Sequence, residues 1–429
     1  RQSRAVTESK YTECPETLRA LRVLNKVNPL PPLKAIMITS IHFENFFSFS
    51  SQTVSLTDLN ALIGINGVGK TNFIRAIQLL KATLSEDELP NLVINKWGGF
   101  DAMCHIAGRD NRQSDTVTLE YRFSPDVLRK YGFQFLGVPS YRISFRRVAS
   151  SINYSITEAL CDESGNRYFT CRDGKALAKE GREQKEVSYD FDKPFHSALS
   201  QLVDKDRYPH IYTLREAIKD IAVYSYFNTA AASPIRKPVP PTSSNRLSSD
   251  GTNLPQVLNA IKINSRQNFV RLVEAMRAIN PMFVGIDYNI LGGNIEMLLE
   301  EERLAMPIHV THVSDGTLRY LCLLAIVFNP KRGRLVCIDE PEVGLHPDMI
   351  NEIIDVIRDN ATDTHFGITT HSEHILNQLS VTNVLVFEKD DDNSTVVKDF
   401  MNDTDYTDWA ADYALGKLWR NGDLGGNRF

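Results

Sequence analysis

Gly64-Ile65-Asn66-Gly67-Val68-Gly69-Lys70-Thr71 decides the reading of this chain, because it fits the phosphate-loop pattern of two glycines followed by Lys-Thr. The apolar run Leu59 to Ile63 enters it as a strand would, and Asn72 to Lys81 leaves it with helical spacing. Glycines let the backbone curl so that its N–H groups face a polyphosphate, and the following helix N-terminus adds partial positive charge. Lys70 would reach the β- and γ-phosphates of a nucleotide and the Thr71 hydroxyl would ligate magnesium. Gly64, Asn66, Gly67, Gly69, Lys70, Thr71 and Asn72 are therefore the candidate nucleotide cradle. A glycine-rich turn without a ligand uses the same letters, but the flanking strand and helix favour the phosphate reading.

The chain has 429 residues, 42% of them hydrophobic, which is enough for one large or two associated domains. A formal charge of −5 supplies no global attraction for nucleic acid, although a local patch leaves room for such a contact. Cys14, Cys104, Cys161, Cys171, Cys322 and Cys337 form no Cys-x-x-Cys pair and read as reduced thiols of a cytoplasmic protein. The most apolar run, Leu318 to Phe328, is too short to span a bilayer, so no membrane partner is expected.

Along the chain, residues 1–34 form a polar extension with one short helix expected over Thr17–Val27, closed by Pro31-Pro32. Residues 35–227 hold the phosphate loop. They also carry a preceding hairpin rich in Phe43, Phe46 and Phe49, a series of short alternating segments between Glu86 and Phe191, and helical spacing from His196 to Phe227. The aromatic cluster reads as core before it reads as an adenine platform. Arg142, Arg146 and Arg147 crowd one of the alternating strands, and a solvated face outweighs a nucleic-acid contact there. Residues 228–253, with Pro-Val-Pro-Pro-Thr-Ser-Ser, read as a linker. Helices then resume over 254–279, two strands meet at Gly292-Gly293, and the 254–400 segment is followed by a tail over 401–429. No heptad pattern is sustained, which excludes a long coiled-coil arm.

A second chemical centre lies between Val313 and His371. Arg334 to Glu340 is an apolar strand ending in two carboxylates, the arrangement that holds magnesium at a phosphate site and sets a base beside it. Asp339 is the candidate metal residue and Glu340 the candidate base. Val313-Ser314-Asp315-Gly316-Thr317-Leu318-Arg319, Asp339-Glu340-Pro341-Glu342-Val343-Gly344-Leu345-His346-Pro347 and Thr369-Thr370-His371-Ser372, in that order after the phosphate loop, resemble the ABC-type ATPase head. Within that group the chain is most similar to the RecF/SMC-like, OLD-related stand-alone bacterial ATPases. Leu415 to Arg420 and Gly425 to Arg428 resemble the ending of the same group.

The resemblance implies an α/β fold with a phosphate-loop core sheet, an antiparallel β subdomain and a helical signature-motif subdomain. It implies that Ser314 and Gly316 cap the γ-phosphate of ATP held by another subunit, that Val343 to His346 link the two sites, and that His371 senses the γ-phosphate. ATP and Mg2+ are the implied cofactors, and a homodimer or higher homo-oligomer sandwiching ATP is the implied assembly. By the same analogy the chain would hydrolyse ATP and control a separately encoded effector protein in bacterial anti-phage defence; the alternative is a RecF-like DNA-binding clamp in repair or recombination. The signature departs from the transporter pattern, and Gln134 and Gln201 are unconvincing candidates for the glutamine that ligands magnesium in such heads. Trp97-Gly98-Gly99-Phe100 and His105 resemble a segment of the group without a derivable role. Too few residues follow His371 for the nuclease domain of OLD proteins, and Asp390-Asp391-Asp392 read as a solvated turn.

Overall fold

The hairpin expected upstream of the phosphate loop forms as β1 (Ile38–Phe46) and β2 (Phe49–Ser55), paired antiparallel with Phe46 opposite Phe49. This computed structural model describes residues 36–106, 114–181, 184–193, 195–241, 244–360 and 363–426, so the helix expected over 17–27 and Cys14 lie outside the described residues. Strand β3 (Leu59–Ile63) then leaves for a different sheet and delivers the chain to helix α1 (Lys70–Ala82). The alternating segments form β4 (Thr116–Phe123), β5 (Pro139–Val148), β6 (Ser150–Asp162), β7 (Arg167–Arg172), β8 (Lys175–Glu180) and β9 (Lys185–Asp190). With the hairpin they make an eight-stranded antiparallel sheet in the order β2-β1-β4-β5-β6-β7-β8-β9. Turns at Gly165 and at Asp173-Gly174 join β6 to β7 and β7 to β8, with these residues in the left-handed region that such turns require.

Helix α2 (Pro209–Lys219) leads into β10 (Ile221–Tyr224). The spacing from His196 to Phe227 predicts helix; the structure keeps helix over Ala198–Gln201 and Pro209–Lys219, breaks it between them and makes Ile221–Tyr224 a strand. Ile-Ala-Val-Tyr is a short apolar run that periodicity cannot assign, and it is drawn into parallel strand pairing by residues Leu335 to Ile338. The stretch 228–253 is no loose linker: Ile235 and Leu247 are buried, and the guanidinium of buried Arg236 donates to the carbonyls of Thr229, Val310 and Val313 at 2.7 Å each. Helices α3 (Leu254–Asn264) and α4 (Arg266–Ile279) follow. Next come β11 (Phe283–Leu291), β12 (Asn294–Glu301) and β13 (Ile308–His309), which form a three-stranded antiparallel sheet.

Helix α5 (Asp315–Val327), β14 (Leu335–Asp339), α6 (Pro347–Asn360), β15 (His365–Thr369), β16 (Val384–Lys389) and β17 (Thr395–Lys398) complete the core. The central sheet runs β10-β14-β15-β3-β16-β17, parallel except for the last strand, and β3, β14 and β15 are buried almost throughout, as interior parallel strands must be. Helix α1 shares one hydrophobic core with both sheets, and Tyr121 of β4 donates to the carbonyl of Ala76 in its middle. A second core joins α3, α4, α5 and α6 to the opposite face of the central sheet. The tail packs back as two short helices, α7 (Thr404–Ala411) and α8 (Leu415–Asn421), burying Leu415, Leu418 and Leu424 near Ile63. Asp390 accepts from the backbone of Asp392 and Ser394, so the acidic triplet is the β16–β17 turn. Among the described residues no long coiled-coil helix and no helix able to cross a membrane occurs.

Candidate functional site

Parallel register brings the carboxyl ends of β3, β14 and β15 to one edge, where such sheets hold their ligands: Asp339 pairs with Thr369, and Thr369 with Leu62. The phosphate loop rises between β3 and α1 with Gly64, Gly67 and Gly69 all at positive φ. Gly69 shows why a side chain is excluded: a Cβ there would lie 2.4 Å from Thr395 Oγ1 and 2.6 Å from Ser48 Oγ. Thr395 donates to the Val68 carbonyl at 2.6 Å, and Asn72 donates to Ser48 Oγ at 2.8 Å, so the base of the loop is braced from β17 and from the β1–β2 turn. Asn66, Gly67 and Thr71 remain exposed at the rim.

Lys70 is buried, and its ammonium donates to the carbonyls of Gly64 (2.7 Å) and Ile65 (3.2 Å). Burial lowers its pKa, and the nearby carboxylates of Glu340, Asp339 and Glu342 oppose that shift. His371, at the end of β15, brings Nε2 within 3.0 Å of Lys70 Nζ and 3.6 Å of Glu340 Oε1. Burial and then Lys70 hold the imidazole below its ordinary pKa, which keeps it neutral near pH 7. Thr369 ties the two carboxylate residues together: its hydroxyl donates to Asp339 Oδ1 at 2.5 Å and accepts from the backbone N–H of Glu340 at 2.9 Å. Glu340 has φ 46°, a left-handed conformation costing a non-glycine residue about 1–3 kcal/mol, and such strain concentrates where a side chain must be aimed.

The signature segment stands apart from this cluster. Ser314 is exposed and caps α5, accepting from Thr317 N at 3.1 Å. Asp315 is held by buried Arg236 at 2.6 Å. Arg319, one turn on, donates to the carbonyls of Val343 and Phe227 at 3.3 Å each and lies 4.6 Å from the Tyr226 ring. Gly344 has φ 76°, where a side chain is strained, and a Cβ there would displace the Arg319 guanidinium that ties the 343–346 loop to the signature helix. His346 is exposed beside Asp348.

Sequence reasoning brings Lys70, Asp339, Glu340 and His371 into one cluster but misses Thr369, Thr395, Ser48 and Glu342, which brace that cluster and its loop, and Arg236, which holds the separate signature segment. Of these only Thr369 and Glu342 lie within motifs already noticed; the others are side chains without a pattern. Gln134 is exposed, Gln201 ends a short helical turn, and among the described residues neither bonds to Lys70, Asp339 or Glu340. Trp97 gains a place, packing edge-on against Phe47, which lies under the Arg75 guanidinium. His105 bonds the Phe47 carbonyl at 3.1 Å and Ser394 at 3.0 Å. Phe43, Phe46 and Phe49 are core. Arg142 faces Glu44 and Glu120, Arg146 faces Asp173, and Arg147 faces Asp101 and Asp115, so this strand carries little unbalanced positive charge.

Residues 59–377 match the family model described as "AAA domain, putative AbiEii toxin, Type IV TA system". Among solved structures, the Smc head bound to the C-terminal winged-helix domain of ScpA superimposes with a TM-score of 0.51 at 10% identity, covering 85% of this chain and 99% of that one. The Smc head with an extended coiled coil bound to the C-terminal domain of ScpA from Pyrococcus furiosus gives 0.49 at 9% identity over 87% and 99%. The SMC head domain from Thermotoga maritima gives 0.39 at 13% identity over 85% and 99%. The first of these likenesses establishes a shared ATPase-head fold. Nothing among curated proteins matches the chain.

Proposed function

Since the chain belongs to the AAA-domain family matched by its residues 59–377, we propose that this nucleotide-binding ATPase hydrolyses ATP, dimerises around it, and thereby controls a separate effector protein in bacterial anti-phage defence. The observation that carries the catalytic part is the meeting of Lys70 with His371, 301 residues further along the chain, at 3.0 Å, with Glu340 3.6 Å from the same imidazole. In this reading Gly64, Asn66, Gly67, Gly69 and Asn72 line the phosphates, Lys70 draws charge from the β- and γ-oxygens, and Glu340 orients and deprotonates the attacking water. His371, neutral, donates or accepts at the γ-phosphate. Thr71 and Asp339 offer a hydroxyl and a carboxylate, the hard oxygen donors that suit Mg2+, whose chemistry would be to neutralise charge between the β- and γ-phosphates.

Dimerisation is argued from the signature segment. Ser314 is exposed at the start of α5 with N–H groups beside it, an anion site in search of a ligand from outside the subunit. Control of an effector rests on economy: Lys70, Thr71, Asp339, Glu340 and His371 all serve one phosphoryl-transfer site. The Smc head named above is bound to a domain of another protein, and partner control is proposed here by analogy with it. The OLD-related grouping and cytoplasmic location belong to the same proposal. The DNA-clamp alternative draws little support from the basic strand, whose arginines are paired with acids.

Purified protein should hydrolyse ATP while leaving DNA, RNA and protein substrates intact with magnesium or manganese. Degradation of any of these that survives Glu340→Gln would reveal effector chemistry in the chain itself and overturn the division of labour.

A further inference from the structure

We propose that Glu342 is the positioning residue that sets His371 against Lys70 and Glu340, an inference that rests on the ATP-hydrolysing reading above. Glu342 stands two residues beyond the candidate base, in the turn that leaves β14. Backbone bonds alone close that turn: Val343 N donates to the Glu340 carbonyl and Leu345 N to the Glu342 carbonyl, both at 3.1 Å. The turn therefore has no need of a carboxylate.

The side chain instead reaches across to the end of β15. Its Oε1 accepts from Thr370 Oγ1 at 2.8 Å and from the backbone N–H of His371 at 2.7 Å. A carboxylate accepting from a main-chain N–H makes a short, strong bond, and this one fixes the residue from which the imidazole projects to 3.0 Å from Lys70 Nζ and 3.6 Å from Glu340 Oε1. The other oxygen, Oε2, is buried with no hydrogen-bond partner, and burial pushes the carboxyl pKa up. An unsatisfied buried acceptor carries a desolvation cost that solvent exposure or an apolar side chain at this position would avoid. What the acid provides at that cost is one well-aimed oxygen under His371.

The test separates an acceptor from a charge. Glu342→Ala removes both contacts; Glu342→Gln keeps an amide oxygen in the same place and loses the charge; Thr370→Val removes one donor of the pair. ATP turnover and fluorescent-nucleotide affinity are measured for each. The alanine variant should lose roughly 10- to 100-fold in kcat, the effect of a slightly misplaced catalytic group, with affinity within about twofold of the native chain. Glutamine should restore most of the rate, and Thr370→Val should fall between. Native turnover in Glu342→Ala, or a glutamine variant as slow as the alanine one, overturns the proposal. If the alanine chain melts early, Glu342→Asp takes its place, since a shortened carboxylate cannot reach, and native turnover there is equally fatal. Should the native chain prove to hydrolyse no ATP, the ATPase reading fails by itself. The His371 imidazole chemical shift then decides the positioning, being moved in Glu342→Ala if the contact matters and unmoved if it does not.

Discussion

Lys70 and Glu340 occupy one cluster but should fail differently. Lys70 is buried with its ammonium on loop carbonyls, so Lys70→Ala removes the charge that a polyphosphate would meet, and fluorescent-nucleotide titration should show affinity lost by about tenfold or more. Glu340→Gln keeps the side-chain shape on the same strained backbone, so binding should persist while turnover falls roughly 10²- to 10⁴-fold, the range of a lost general base. Undiminished turnover would remove Glu340 from that role. These two residues are legible in the sequence because each sits in a spaced motif, Lys70 opening the helix after the phosphate loop and Glu340 following the apolar strand β14. Thr369, which ties Asp339 to the Glu340 backbone, and Arg236, which pins Asp315 from a proline-rich stretch, are not. Their function lies in a single hydrogen bond across a sheet or between segments, and nothing in local composition encodes such a bond.

At the scale of elements, alternating strands are readable: β4 carries Val117, Leu119, Tyr121 and Phe123 at every second position, and all four are buried. β10 is not, since four apolar residues after a helix acquire strand character only from β14 beside them. Buried histidines in these elements make a stability prediction. His210 on α2 packs against Phe133 and Tyr168 and is pushed by burial down to about 4; His365, starting β15, is pushed to about 3. Both pKa values lie below the ordinary 6.5, so the unfolded chain binds more protons as pH falls. Stability is complete above pH 6.5 and is lost as the pH drops from there towards the folded values. At about pH 5.5 each histidine should subtract about 1.4 kcal/mol. Denaturant unfolding at about pH 7.5 and about pH 5.5 measures the difference, and His210→Phe, which suits its aromatic surroundings, should shrink it by about that amount. An unchanged difference would mean that the ring is hydrated in the native state.

For the whole molecule, the decisive question is whether one subunit's signature serves another's nucleotide. Ser314 caps its own helix from an exposed position, and Arg319 with Gly344 fastens that helix to the 343–346 loop, so the two segments should move together as one surface. If that surface closes over a second copy, two defects in different subunits should complement. Lys70→Ala lacks a working phosphate loop but keeps its signature; Ser314→Arg keeps the loop but blocks the signature, with about 1 kcal/mol lost from the helix cap. Each variant alone should be inactive. Mixed in equal amounts, half of the dimers pair one of each and hold one complete site of two, so turnover should recover to about a quarter of the native rate. Light scattering on the same samples should show the dimer with ATP. Two inactive parents that stay inactive when mixed, or full turnover by a native chain that remains monomeric throughout, would mean that each subunit completes its own site, and the exposed signature would then need a different ligand.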